Sequence, residues 1–353
     1  MKANRVRVAL LGCGRVSARY LEVFRDELAE EVALVAAADL DPAKAARFAP
    51  LGAAICDGIA GVIAAKPDIV CVLTESGNHF EHARALLEAG LPVVVEKPMA
   101  LRPEHVEELA GIAERRGLIL AEIKQNRFNP ALRFLRQAVE EGRIGRLVTA
   151  GVRVHWCRTQ SYYDDPWHGR WRMDGGVLAQ QAIHHLDALR WLAGEVEAVC
   201  AAGKAMLNRL EAEDTAVAAV RFANGALGTI EATTSARPRD IEASLHLVGE
   251  KALAKVGGIA LNRIETWAPV DAAAEDAQVP ARHSQEVPTG YGLGHGPYLS
   301  AVFAALRAGR REVPVDAGEA ARSLDLLHAI YASMETGGWV PLAARPASAR
   351  LGL

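Results

Sequence analysis

From residue 5 to residue 123 the chain alternates strand and helix signals without a break, and this restricts the fold more than any other feature. Strands are predicted at 6–11, 33–38, 69–73, 92–96 and 118–122, with helices at about 15–29, 42–50, 79–89 and 103–116 between them. Strands separated by helices cannot close as hairpins; they need crossovers, and crossovers give a parallel sheet with helices on its faces. The punctuation agrees. Asp41-Pro42 is an N-cap followed by proline at the first helical position, and Gly90 and Gly117 stand where helices end.

The pattern changes after Gln125. A helix is predicted at 130–141, a strand at 146–157 and a helix with a strong apolar stripe at 176–193. Extended runs follow at 196–204, 214–222, 226–234, 241–248, 252–256 and 261–267, some separated by short polar turns such as Ala223-Asn224-Gly225. That is the mark of an antiparallel sheet. Residues 268–290 have no clear period and are read as a loop, and helices return at 297–308 and 316–336.

Two domains are the natural expectation for 353 residues. Net charge is -3, which argues against a nucleic-acid or anionic-membrane protein. No apolar run approaches the roughly 20 residues of a spanning helix. The first strand begins almost at Met1, so no signal peptide is expected, and the five scattered cysteines show no zinc spacing. Reduced thiols, no metal and a cytoplasmic setting are the expectation.

Two segments at the ends of strands carry chemistry. Gly12-Cys13-Gly14-Arg15-Val16-Ser17 follows the first strand and fits GxGxxG with a small residue in the last place. Such a turn lets a backbone approach a pyrophosphate at a helix N-terminus. Asp39 ends the next strand; an acid there accepts ribose hydroxyls and repels a 2′-phosphate, which favours NAD over NADP. Val93-Val94-Val95-Glu96-Lys97-Pro98 is a buried strand that delivers a lysine to the carboxyl edge of the sheet, where ligands of such sheets bind. A lysine beside the reactive end of a dinucleotide can polarise a substrate oxygen or exchange a proton. The expected cofactor set is Gly12, Cys13, Gly14, Arg15, Val16, Asp39, Thr74, Glu96 and Lys97.

The helix at 176–193 carries His184-His185. Leu178, Ala182, His185, Leu189 and Leu192 fall on one stripe, so His185 reads as a packed histidine. His184 falls near Gln180, Gln181 and Asp187 at helical spacing, a polar face with an acid able to orient an imidazole. His184 is therefore the candidate acid–base group beside Lys97. Residues 124–130 and 156–172 are dense in aromatics and arginines, which suits a sugar ring, a base and phosphates. Asn126, Arg127, Asn129, Arg158, Tyr163, Trp171, Gln180, Gln181 and His295 form the expected substrate set.

The chain resembles the glucose–fructose oxidoreductase/inositol dehydrogenase/MocA-like family. The resemblance is carried by the GxGxxS turn, Glu96-Lys97-Pro98, the Gly-Gly…His184-x-x-Asp187 helix and the ending Ser323-Leu324-Asp325-Leu326…Glu335-Thr336-Gly337. It implies a Rossmann α/β domain over 1–123, then an α+β domain with a large, open, mainly antiparallel sheet over 124–353, whose C-terminal helix can pack back on the first. It also implies NAD, hydride-transfer roles for Lys97 and His184, and a homodimer or homotetramer built on the sheet. The segments 124–130, 154–163 and 174–185 are similar to the UDP-N-acetylglucosaminuronic acid 3-dehydrogenases of O-antigen sugar synthesis, and this resemblance implies Arg127 and Arg158 as partners for the substrate's diphosphate. Where that subgroup has Asn, this chain has Gln180, whose extra methylene moves the amide.

The expected activity is NAD-dependent oxidation of a sugar secondary hydroxyl, at C3 of a UDP-linked N-acetylated hexuronic acid. The alternatives are a dehydrogenase of a free sugar or cyclitol, which needs no arginine-rich segment, and a non-catalytic dinucleotide or sugar sensor.

Overall fold

The structure, a computed structural model, describes residues 5–353. Two compact units emerge. One comprises Met1–Lys124 with His295–Arg322, the other Gln125–Gly294 with Ser323–Leu353.

The first unit is built on six parallel strands: β1 (Val6–Leu11), β2 (Val32–Ala38), β3 (Ala54–Cys56), β4 (Ile69–Val72), β5 (Val93–Val95) and β6 (Leu120–Glu122). Their order is β3-β2-β1-β4-β5-β6. Every residue of β4, β5 and β6 is buried, as expected of strands covered by helices on both faces. The crossovers hold α1 (Ser17–Glu22), α2 (Pro42–Ala46), α3 (Gly58–Ala64), α4 (His79–Glu88) and α5 (Pro103–Arg116). The helix expected over 15–29 is α1 followed by a π turn at Val23–Glu27. The sequence reading missed β3 and α3. β3 is a three-residue edge strand with Ile55 exposed, too short to show a periodicity. Chain order reverses at β1, with β2 on one side and β4 on the other, which is where ligands of such sheets bind.

In the second unit, strands β7 (Leu147–His155), β8 (Val196–Lys204), β9 (Thr215–Phe222), β10 (Leu227–Thr233), β11 (Glu242–Gly249), β12 (Ala252–Gly257), β13 (Arg263–Pro269) and β14 (Val340–Pro341) form one sheet. The order is β13-β12-β11-β7-β10-β9-β8-β14. Every pairing is antiparallel except β7 with β10, and those two strands are far enough apart in sequence to allow the crossover a parallel pair needs. The helical segments are α6 (Pro130–Glu140), α7 (Gln160–Tyr163), α8 (Val177–Gln180), α9 (Ile183–Ala193) and α10 (Val279–His283). Two more complete the chain: α11 (His295–Arg307), in the first unit, and α12 (Ala317–Thr336), within which the unit boundary falls.

In β9, Ala216, Ala218, Val220 and Phe222 point to the core, while Val217, Ala219 and Arg221 face outward. The outward face carries Val217, Leu227 and Leu253, but it is not the continuous apolar surface that the strand composition suggests. Arg153 pairs with Glu231 and Glu242, and Lys255 pairs with Glu242 and Glu265, so a charged ladder crosses it.

The single helix expected over 176–193 is divided. The Ala182 amide reaches back to the Val177 carbonyl at 2.8 Å, a turn one residue wider than α-helical, and α9 starts afresh at Ile183. Glu213 anchors the head of α8. Its Oε1 accepts from the Leu178 amide at 3.0 Å and the Tyr331 hydroxyl at 2.9 Å. Gly176 is glycine because a Cβ there would lie 2.2 Å from the Glu213 carboxylate.

Burial pushes the Glu213 carboxyl up to about 7 from 4.5. The folded state therefore holds an extra proton between those values, and stability falls as pH rises through that window. Glu213→Gln keeps the acceptor and removes the titration. In urea unfolding the variant should lie within about 1 kcal/mol of wild type near pH 5 and be more stable by about 2–3 kcal/mol at about pH 8.5. Equal stability differences at both pH values would exclude a buried titrating carboxyl.

Candidate active site

At the carboxyl edge of the first sheet, Gly12 turns the chain with φ +91°, and a Cβ there would lie 2.7 Å from the Leu73 carbonyl carbon and the Thr74 amide. Only glycine fits that approach. At Gly14 nothing lies within 4 Å of the Cβ position, which leaves the turn open for a pyrophosphate. Cys13 is buried, Val16 is half-buried just before α1, and the Arg15 side chain is exposed. The Asp39 carboxylate accepts from the Cys13 amide at 2.6 Å and the Asp41 amide at 2.8 Å. It thus shapes the turn and stands at its rim. Arg47, which the sequence reading missed, ties the turn from outside by donating to the Cys13 carbonyl at 2.5 Å and the Ser17 hydroxyl at 3.0 Å. These residues fit a dinucleotide: an open glycine turn, a helix starting behind it and a carboxylate at the end of the neighbouring strand.

Lys97 is half-buried just beyond β5. Its neighbours at the edge are fully buried carboxylates. Glu96 accepts from the Tyr20 hydroxyl at 3.0 Å and lies 3.7 Å from His295 Nε2. Burial raises the Glu96 carboxyl, but His295, Lys97 and the Tyr20 hydroxyl outweigh it and hold it below its ordinary value. Glu122 accepts from Lys124 Nζ at 2.9 Å and the Met99 amide at 3.2 Å. Thr74 follows β4 in the same edge, its hydroxyl 2.9 Å from His82 Nδ1. His295, which sequence reasoning set beside the substrate, heads α11 in this unit and is buried behind Glu96 with its ring edge-on to Tyr20.

In the second unit α9 packs on a 3-10 turn at Gln125–Phe128. His184 is half-buried there, and its Nε2 lies 3.4 Å from Gln125 Nε2. Three buried amides belong to these segments: Gln125 and Asn126 on the turn, and Gln181 just before α9. Gln181 donates to the Tyr162 hydroxyl at 3.1 Å. The amide oxygens of all three have no protein partner. Buried acceptors are normally satisfied, so these suit the hydroxyls of a bound polyol. Gln180, half-buried, ends α8 one residue earlier. Because the helix is divided, it is not one turn below His184 as continuous spacing would place it.

His185 is fully buried, its ring edge-on to Trp156 at 5.7 Å, with no protein partner on either nitrogen. Burial pushes its pKa down to about 4. It is a packed neutral imidazole.

The other expected substrate residues separate by environment. Arg127 is buried and forms a bidentate pair with Asp187, Nε to Oδ2 at 2.8 Å and Nη2 to Oδ1 at 2.7 Å, with Ser323 donating to the same carboxylate at 2.7 Å. Asn129 is buried and donates to the Ala260 carbonyl at 2.6 Å. Tyr163 is buried, its hydroxyl 2.6 Å from the Thr234 hydroxyl, and burial raises its pKa. Trp171 lies edge-on to Tyr331 and, with Glu213, lines a separate cavity of about 210 Å³. Arg158 is the accessible one: its guanidinium lies 5.3 Å over Trp156 and 5.9 Å over Tyr162, and pairs with Asp240 at 3.2 Å. Gln125 was not among the expected residues although its segment was singled out, because its neighbour across the fold, His184, lies 59 residues away in sequence.

Comparison with known proteins places the fold in a family. Residues 6–123 match the oxidoreductase family's NAD-binding Rossmann fold, and residues 136–342 match the family's C-terminal alpha/beta domain. The fold and the two matches define an NAD-dependent dehydrogenase. The chain belongs to the Gfo/Idh/MocA oxidoreductase family. Among solved structures it is similar to the WlbA dehydrogenase of Bordetella pertussis in complex with NADH and UDP-GlcNAcA, 36% identical with a TM-score of 0.89, covering 97% of this chain and 99% of that one. It is also similar to the WlbA dehydrogenase of Chromobacterium violaceum, in complex with the same two ligands, at 34% identity and a TM-score of 0.88, covering 97% of each chain. A curated relative is the myo-inositol dehydrogenase Hyg17 of Streptomyces leeuwenhoekii, 32% identical over 233 residues, which are 64% of this chain and 69% of that protein.

Asp39 makes cofactor choice testable. Fluorescence titration should show NADH binding more tightly than NADPH. Asp39→Ala should weaken NADH by roughly tenfold or more and narrow the difference, since one carboxylate supplies both attraction and repulsion. Equal or tighter NADPH binding by wild type would sink the assignment.

Proposed function

We propose that the protein oxidises a secondary hydroxyl of a nucleotide-linked sugar, at C3 of UDP-N-acetylglucosaminuronic acid. The observation that carries the reading is the set of unpartnered amide oxygens of Gln125 and Asn126, on the turn that packs against α9 and sets Gln125 beside His184, and of Gln181, just before α9. A polyol donates to such acceptors, and a ligand lacking those hydroxyls would leave them orphaned at a cost of about 1–3 kcal/mol each. The ligand shared by the two WlbA structures supports the particular sugar.

When bound, NAD supplies the two-electron acceptor for the carbinol hydrogen. His184 takes the hydroxyl proton as general base, and the Lys97 ammonium stabilises the oxygen as negative charge develops on it. Arg158 receives the diphosphate. Its pair with Asp240 is partly exposed and worth about 0–1 kcal/mol, so a phosphate can displace the carboxylate. The aromatic faces of Trp156 and Tyr162 hold the guanidinium in place. Asn126, Gln180 and Gln181 supply the sugar contacts. Arg127, Asn129, Tyr163 and Trp171 serve the architecture around them.

A panel of UDP-sugars against free sugars and cyclitols, read by NADH formation, tests the substrate. UDP-N-acetylglucosaminuronic acid should be oxidised fastest. Arg158→Ala should raise its KM roughly tenfold or more while leaving NADH affinity unchanged. Lys97→Ala and His184→Ala should each lower turnover by ~10²–10⁴-fold. A free cyclitol oxidised as well as the nucleotide sugar, with Arg158→Ala silent, would select the inositol-type activity instead.

The outward face of the eight-stranded sheet is the proposed surface for a homo-oligomer, since its exposed Val217, Leu227 and Leu253 alternate with paired charges. Light scattering should give a dimer or tetramer. A monomer at micromolar concentration refutes this surface.

A further inference from the structure

Three consecutive residues at the end of β5 are held through their backbone by buried side chains. The Lys97 amide donates to Glu96 at 3.2 Å, the Pro98 carbonyl lies 2.7 Å from His79 Nδ1, and the Met99 amide donates to Glu122 at 3.2 Å. Glu96 and Glu122 sit on the strand ends themselves. His79 does not: it opens α4, it is 1% exposed, and its other nitrogen, Nε2, lies 2.9 Å from the Thr74 carbonyl. One imidazole thus touches the backbone of both loops at this edge, the one that carries Thr74 and the one that carries Lys97.

We propose that His79 is a positioning residue for Lys97, setting the backbone that presents the lysine against the backbone at Thr74. The proposal rests on the catalytic assignment of Lys97. Two features separate this histidine from a core filler. Both of its polar contacts are to carbonyl oxygens, which only accept, so each contact asks the ring for a proton. Burial also holds its pKa below the ordinary value, although the neighbouring carbonyls and Glu96 favour the charged form and Lys97 opposes it. A neutral ring has one N–H, so the two loops compete for a single proton. Losing the ring frees both loops at once. A displacement of about 1 Å at a reacting group can cost on the order of 10²-fold in rate, while a ligand contacting many other groups is held almost as before.

The test compares His79→Phe, which fills the volume without a donor, with His79→Asn, which restores one, using the sugar that wild type oxidises fastest. His79→Phe should lower kcat by roughly 10–100-fold and change KM and NADH affinity by less than about threefold. His79→Asn should recover part of the loss at similar thermal stability. In a Lys97→Met background, His79→Phe should cost less than about threefold in single-turnover rate, because the group it positions is gone. An equal loss in both backgrounds, or wild-type kcat in folded His79→Phe, overturns the proposal. Lys97→Met turning over at the wild-type rate would instead refute the assignment of the lysine. Where Lys97→Met is too slow to time, equal kcat for the Phe and Asn variants overturns it. If neither variant folds, nitrogen NMR of the wild type with NADH decides: a slowly exchanging ring N–H on His79 is expected, and a rapidly exchanging one refutes the contact.

Discussion

The Arg127–Asp187 pair is the interaction that holds the frame around His184 together in the second unit. It ties the 3-10 turn at 125–128 to the middle of α9, and Ser323 closes the carboxylate from a third element. Both side chains are almost wholly buried, so the net gain over an apolar pair is small. Breaking it is another matter. Removal of either partner leaves an uncompensated buried charge, at a cost of about 3–5 kcal/mol. What the pair secures is placement: His184 comes with α9, and Gln125 and Asn126 come with the turn. Amides left deliberately short of partners can be tolerated only where the frame around them is this firm.

The first unit solves the same problem with carboxylates. Glu96 and Glu122 end adjacent strands of a parallel sheet at its ligand edge, where buried acids are expensive unless paired. Each is paired, Glu96 with Tyr20 and His295, Glu122 with Lys124 and the Met99 amide. His295 arrives on α11, far along the chain, and Tyr298 of the same helix donates to the Glu122 carbonyl. The long excursion of the chain between Lys124 and His295 therefore returns to complete the polar wall of the first unit.

That return explains what could and could not be read from the sequence. Strands β1, β2, β4, β5 and β6, and helices α4 and α5, were legible because buried strands and amphipathic helices write their periods locally. So was the antiparallel sheet, and so was the glycine turn, since only glycine has the required φ. The division between α8 and α9 was not legible: the apolar stripe runs on across it, and the break is marked only by the Ala182 amide turning back to the Val177 carbonyl. His295 likewise carried no local sign of Glu96. Long-range partners of polar residues leave no period behind.

The two arginines chosen for a diphosphate show the same limit from the side of function. Both lie in segments similar to the nucleotide-sugar subgroup, and a shared segment marks a shared constraint without saying which kind. Energetics separates them. Drawing Arg127 onto a phosphate would strand Asp187 in a buried site, a loss of several kcal/mol that no surface contact returns. Drawing Arg158 from Asp240 costs about 1 kcal/mol or less, because both are partly hydrated. On the proposed reading the buried arginine belongs to the frame around His184, and the accessible one to recognition of the substrate's diphosphate. On this division a change of substrate class can proceed through residues 156–162 and 237–240 while the His184 frame stays untouched.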